Sequence, residues 1–264
     1  MLDPQNSPPD GAPFRLKLGK DGEARTIAGI VAAGAAPGIV WLSGLKSDMV
    51  STKASAVAAW AAQRGRACLR FDYTGHGVSS GRFEDGTIGL WLADALAAVD
   101  AHGAEKLILV GSSMGGWIAL LVARALAQRG EAERLAGMVL VAPATDFTES
   151  LMWERLPPEI RSEIETKGVW YRPSAYASEP YAITRRLIEE GRAHLLLDAP
   201  IRTHCPVHIL QGMEDSDVPW QHSIKLVEHL AGDGVTLTLV KDGDHRLSRE
   251  QDIAQLIAAI ETIA

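Results

Sequence analysis

The chain has 264 residues, 47% of them apolar and 22% charged, and a net charge of −7. That length supports one large α/β domain with room for an insertion. The acidic balance argues against a nucleic acid partner, no apolar run approaches the length of a membrane span, and Cys68 and Cys205, far apart in sequence, read as two small buried hydrophobes rather than a disulfide.

Residues 1–13 are polar and carry four prolines, without the apolar centre of a signal peptide, so a disordered tail and a cytoplasmic location are expected. Residues 14–18 alternate and, with residues 25–33 across the turn at Lys20-Asp21-Gly22-Glu23, read as an opening hairpin. Residues 38–42 form an apolar strand ending in Ser43-Gly44-Leu45. Ser47 or Asp48 can cap the helix that follows to about Arg64. A strand at 67–71 leads into the glycine-rich loop Asp72-Tyr73-Thr74-Gly75-His76-Gly77-Val78-Ser79-Ser80-Gly81, and Thr87 caps the next helix. Strands at 107–110 and 135–141 flank a helix over 114–129. After Pro143 the alternation stops. Residues 144–200 hold no buried strand, carry Trp153, Trp170, Tyr171 and Tyr176, and read as a mostly helical insertion with mixed charge and no dedicated anion site. The pattern resumes with a strand at 207–210, a helix at 221–231 and a strand at 235–240. A capping box at Ser248-Arg249-Glu250-Gln251 opens the last helix. Eight strands alternating with helices imply a mostly parallel sheet covered on both faces, in a core of residues 14–143 and 201–264.

The chemistry centres on Gly111-Ser112-Ser113-Met114-Gly115-Gly116, between the strand at 107–110 and the helix at 114–129. The G-x-S-x-G frame puts Ser113 on a tight strand-to-helix turn, the layout of a nucleophile elbow. A serine hydroxyl needs a base, usually a histidine oriented by a carboxylate. In open α/β sheets such groups leave the carboxyl ends of strands. His245 is the one histidine of eight that follows a late strand in this way. Glu214, Asp215, Asp217 and Asp244 crowd the neighbouring loops; Asp244 adjoins His245 and should point away from it, and spacing alone does not choose between Asp215 and Asp217. The backbone N–H groups of Met114 and Leu45 are the candidate oxyanion donors. No Cys/His cluster has metal-ligand spacing, and the reading calls for no metal and no cofactor.

These motifs resemble the α/β-hydrolase family over nearly the whole chain. The features that carry the resemblance are the 72–81 loop, the elbow, Gly212-x-x-Asp215-x-x-Val218-Pro219, and Asp244-His245. The resemblance selects Asp215 as the acid, with Asp217 as the alternative. It also implies an eight-stranded α/β-hydrolase fold in which residues 144–200 act as a lid. Ser43-Gly44 stands where the family usually carries His-Gly. Lys167-Gly168-Val169-Trp170, Pro173-Ser174-x-Tyr176 and Val218-Pro219-Trp220 are similar to the branch containing mitochondrial palmitoyl-protein thioesterases and acyl-glucuronide esterases. The implied activity is serine-dependent hydrolysis of a small-molecule acyl ester or thioester, or of an acylated protein. Trp153, Trp170 and Trp220 are candidate substrate contacts, with Leu151, Met152, Leu156, Val169 and Tyr176 as further acyl-pocket candidates. The same fold also serves peptidases, carbon–carbon hydrolases and perhydrolases, and non-catalytic relatives that lose a triad member. The sequence does not specify the oligomeric state.

Overall fold

The computed structural model describes residues 11–19, 24–173, 180–232 and 234–264. Of the tail expected over residues 1–13, residues 1–10 lie outside the described residues, as do the turn at Lys20-Asp21-Gly22-Glu23 and the pocket candidate Tyr176, while Ala12 and Pro13 belong to a strand instead. The strand expected from residue 14 is β1, Ala12–Leu18. It starts two residues early because Ala12 and Pro13 still pair with Val31 and Ile30 of β2, Arg25–Ala32. β1 is an edge strand, where a proline without an N–H is tolerated.

The further strands of the main sheet are β3 (Ala35–Leu42), β4 (Arg66–Phe71), β5 (Leu107–Ser112) and β6 (Leu135–Val141). Two more strands lie in the inserted segment, β7 (Val169–Arg172) and β8 (Tyr181–Thr184), and β9 (Val207–Gly212) and β10 (Val235–Val240) complete the main sheet. Its eight strands run in the order β1-β2-β4-β3-β5-β6-β9-β10, antiparallel only at β1–β2 and β2–β4. This is the expected mostly parallel eight-stranded sheet. The chain steps from β3 to β4 on one side and then to β5 on the other, so the order reverses between β3 and β5. Open α/β sheets bind ligands at such a reversal, outside the carboxyl ends of the strands.

Seven α-helices are described: α1 (Thr52–Gln63), α2 (Ile88–His102), α3 (Met114–Gln128), α4 (Pro158–Lys167), α5 (Arg185–Gly191), α6 (Trp220–His229) and α7 (Glu250–Glu261). Alternate residues of the central strands face opposite layers. Val40, Leu42, Leu109 and Leu140 pack against α2 and α3, while Ile39, Trp41, Val110 and Val141 pack against α1 and α7. A sheet buried on both faces explains why its strands read as continuous apolar runs rather than alternating ones.

Three local expectations are corrected. Ser47 and Asp48 do not cap α1, whose N-cap is Ser51; the Asp48 carboxylate accepts from the Val50 N–H at 3.0 Å and makes a turn instead. The capping box of α7 is Arg249 with Asp252, not Ser248 with Gln251. The inserted segment contains the antiparallel β7–β8 hairpin besides its helices, with Ala182 and Ile183 of β8 buried; four-residue strands carry too little periodicity to register. The two ends of the insertion are tied together by Asp146, whose carboxylate accepts from the Leu196 and Leu197 N–H groups at 3.0 and 2.8 Å.

Candidate active site

β5 ends beside β3, with Gly111 opposite Leu42, so the Ser43-Gly44-Leu45 loop lies against Ser112 and Ser113. The chain then turns into α3 at Ser113, whose φ of 54° and ψ of −118° lie in a strained region for a residue with a Cβ. The surroundings hold it there: the Ser113 N–H donates to the Val141 carbonyl at 2.8 Å, and its carbonyl accepts from the Ala144 N–H at 3.1 Å. The flanking glycines are required by space. A Cβ at Gly115 would run into the Leu42 carbonyl oxygen, and one at Gly111 into the Gly115 carbonyl.

β9 and β10 lie two and three strands from β5, about 10 and 15 Å at ordinary strand spacing. Their loops must therefore fold back over the sheet to reach Ser113. They are stitched to each other by the Met213 N–H on the Val240 carbonyl and the Glu214 N–H on the Gly243 carbonyl, both at 2.9 Å. His245 is thereby brought to Ser113: its Nδ1–H donates to Asp215 Oδ2 at 2.8 Å, and its Nε2 lies 3.1 Å from Ser113 Oγ. A carboxylate can only accept, so the imidazole turns its lone pair to the serine hydroxyl. The Asp215 side chain is 0% exposed and that of His245 17%. The buried charge is compensated by four donors. Besides His245, Oδ2 accepts from Gln211 Nε2 at 3.1 Å, and Oδ1 from the Asp217 and Val218 N–H groups at 2.9 and 2.8 Å.

Asp217 does not hold the histidine ring. Its carboxylate pairs with Arg172 at 3.6 Å, across to β7. Gln211 escaped the sequence reading; it is fully buried at the end of β9, where its Oε1 accepts from the Ser223 hydroxyl at 2.7 Å, and only its three-dimensional contacts show its part. Among the described residues, Asp215, Asp217 and His245 also bring potential metal-ligand atoms within 4.8 Å of one another. Both His245 nitrogens already have partners in Ser113 and Asp215.

Ser113 and His245 open into a cavity of about 670 Å³, whose wall includes both candidate oxyanion donors, Leu45 and Met114. Met114 is the first residue of α3, where backbone N–H groups have no partner within the helix. Ser43, in the place of the family's histidine, accepts from Trp41 Nε1 at 3.1 Å and donates to the Asp48 carbonyl, which shapes the loop. The Asp72 carboxylate accepts from the Met49 and Val78 N–H groups, so the 72–81 loop braces the 43–51 loop and does not itself line the cavity.

The inserted segment supplies the apolar wall. Leu151, Met152, Leu156 and Trp170 line the cavity as expected, joined by Phe147 and Ile160. Two of the three tryptophan candidates are corrected. Trp153 lies outside the cavity with its ring beneath the guanidinium groups of Arg161 and Arg192, and neither Trp220, the first residue of α6, nor Val169 lines the wall. The hairpin gives the reason: Trp170 pairs with Ile183 and Arg172 with Tyr181, and this face meets the cavity while Val169 belongs to the other. The wall also gathers Lys46, Lys53, Arg155, Arg172 and Arg246 against Asp217. Only Arg155 and Arg172 of these belong to the inserted segment, where mixed charge is expected; Lys46, Lys53 and Arg246 come from outside it. The basic wall was invisible in sequence because its members come from the loop after β3, α1, the inserted segment and the His245 loop.

A model of the alpha/beta hydrolase family matches residues 34–259. The chain is 38% identical over 231 residues to the human mitochondrial palmitoyl-protein thioesterase ABHD10, covering 87% of this chain and 74% of the relative. Among solved structures, a putative hydrolase from Agrobacterium vitis S4 superposes with a TM-score of 0.92 at 49% identity, covering 96% of this chain and 98% of that one. Mouse alpha/beta hydrolase domain-containing protein 10 superposes with a TM-score of 0.84 at 36% identity, covering 94% and 97%. The curated relatives are mitochondrial by name, which overturns the cytoplasmic expectation. No helix among the described residues is long and apolar enough to cross a membrane.

Proposed function

The chain belongs to the α/β-hydrolase family, and from that premise we propose that it is a serine hydrolase cleaving acyl esters or thioesters through an acyl-enzyme. The observation that carries the reading is the hydrogen-bonded run from Ser113 Oγ through His245 to Asp215, set on a strained turn and open to a cavity. Ser113 Oγ attacks the substrate carbonyl while His245 Nε2 takes its proton. Asp215 keeps the proton of Nδ1 in place and stabilises the imidazolium. The Leu45 and Met114 N–H groups receive the negative charge that develops on the carbonyl oxygen. His245 then protonates the leaving alcohol or thiol, and in the second half activates the water that releases the acid.

Residues 144–200 act as the lid and seat the acyl chain against Phe147, Leu151, Met152, Leu156, Ile160 and Trp170, whose apolar surface favours a hydrocarbon chain. The palmitoyl-protein thioesterase relatives support an acyl thioester, free or on a protein, as the substrate class. The test is a fluorophosphonate probe followed by peptide mapping. Labelling of Ser113 in the intact chain, lost in Ser113→Ala, is expected. An unlabelled wild type, or equal labelling of the folded variant, refutes the assignment.

A further inference from the structure

We propose that Lys53 is a positioning residue for His245, holding from α1 the loop that presents the imidazole to Ser113. The inference rests on the reading of Ser113 and His245 as nucleophile and base.

His245 stands in a loop between β10 and α7 with little regular backbone pairing. On one side its backbone is tied down by Asp244, whose carboxylate accepts from the Arg246 and Leu247 N–H groups at 3.1 and 2.9 Å. Leu247 is buried and adopts a φ of 41°, a left-handed conformation unfavourable for leucine. The loop is therefore under strain immediately after the histidine. On the other side, the Lys53 ammonium reaches across from the first turn of α1. It donates to the Arg246 carbonyl and lies 3.5 Å from the Ser248 hydroxyl, which itself donates to that carbonyl at 2.9 Å. The carbonyl next after His245 is thus held by a cation belonging to a different element. This also explains why Ser248 does not cap α7.

The charge state of Lys53 is set by its neighbours. Burial first, and then the Arg246 cation, lower its pKa to about 8, while Asp244 in the loop and Asp252 on α7 act in the opposite direction. Lys53 is charged at neutral pH and loses that charge within the working range of an esterase. Removing the ammonium leaves the Arg246 carbonyl only the Ser248 hydroxyl of its own loop and unties that loop from α1, so it can pivot about Asp244. The 3.1 Å contact between His245 Nε2 and Ser113 Oγ has little tolerance for such movement, since small misplacements of a reacting group are expensive.

The experiment measures kcat, KM and pH profiles of the full chain with p-nitrophenyl butyrate, in wild type, Lys53→Met, Lys53→Arg and Ser113→Ala. Lys53→Met is expected to lower kcat about tenfold with KM nearly unchanged, the loss being of geometry rather than binding. Lys53→Arg is expected to recover most of the rate. Wild-type kcat is expected to fall above about pH 8 as the ammonium deprotonates. In Lys53→Arg that fall is expected to move to higher pH, because a guanidinium stays charged. Lys53 also lines the cavity, so an anion-binding role must be distinguished; with this neutral ester it would leave both constants unchanged. Unchanged constants and pH profile in Lys53→Met overturn the proposal, as does a loss carried mainly by KM. Should Lys53→Met not fold, Lys53→Gln decides: lower kcat without the fall near pH 8 supports the proposal, and wild-type kcat with that fall retained overturns it. Activity surviving in Ser113→Ala would instead mean that the reading of the site itself is wrong.

Discussion

Replacing Asp215 by asparagine removes one of two buried acceptor oxygens, and the groups around the carboxylate decide which one. If the new NH2 group took the Oδ1 place, it would set a donor against two others, the Asp217 and Val218 N–H groups that both point at that oxygen. At the Oδ2 place it faces Gln211 Nε2 and His245 Nδ1. The imidazole can accommodate the second arrangement by changing tautomer, and two backbone groups cannot accommodate the first. His245 then accepts at Nδ1 and carries its proton on Nε2, so it can no longer take the proton of Ser113. In serine proteases the same tautomer error costs about 10⁴-fold in turnover, or about 5 kcal/mol of barrier. Gln211 Nε2 keeps the Gly212 and Val218 carbonyls as acceptors, both at 3.0 Å, so the accompanying stability loss is about 1 kcal/mol or less. Asp217→Asn is expected to behave differently in kind. Its ion pair with Arg172 is long and partly exposed, so about 1 kcal/mol or less is at stake, with turnover within about threefold. The assay pairs kcat on an acyl ester with thermal unfolding for both variants. A near-inactive Asp217→Asn beside an active Asp215→Asn would refute the tautomer argument and reassign the acid.

Ser113→Ala is expected to abolish turnover and still fold; Ser113→Gly is also inactive but melts higher than Ser113→Ala, because only glycine relieves a φ of 54°, and a lower melting point for the glycine variant would count against strain at the elbow. Trp170→Ala should shift relative rates across acyl chain lengths, whereas Trp153→Ala, outside the cavity, should change stability alone; equal rate losses for short and long chains in Trp170→Ala would remove it from the acyl wall. His76, enclosed by the rings of Tyr73, Phe83 and Trp91, has its pKa lowered by burial from 6.5 to about 4. Between those values the unfolded chain binds the extra proton, so stability falls as pH drops from 6.5 to 4, by about 3 kcal/mol for this one group. His76→Leu should flatten that part of the pH–stability curve, and an unchanged slope would show that His76 does not titrate there.

The nucleophile candidate was legible because everything that builds it is local. A buried strand, small residues without room for a Cβ, and a helix with its first N–H groups free come one after another in the chain. The order of strands and helices was legible for the same reason, since burial on one or both faces leaves its period in the sequence. His245 was found by its place after a late strand, and Asp215 by resemblance. What separates Asp215 from Asp217 is how one turn sits against its neighbours: Oδ1 is held by backbone N–H groups within the turn, while Oδ2 faces a histidine 30 residues on and Gln211 at the end of β9. Which aromatic residues of the insertion meet the cavity also depended on a hairpin of two four-residue strands, too short to leave a period, so Trp170 faces inward and Trp153 lies beneath two arginines. The basic wall has the same origin. Lys46, Lys53, Arg155, Arg172 and Arg246 are scattered along the chain, and only the folding of separate loops over the end of one sheet gathers their charge around a single cavity. Local spacing thus determined which groups the chain possesses, and contacts between distant segments decided which of them meet.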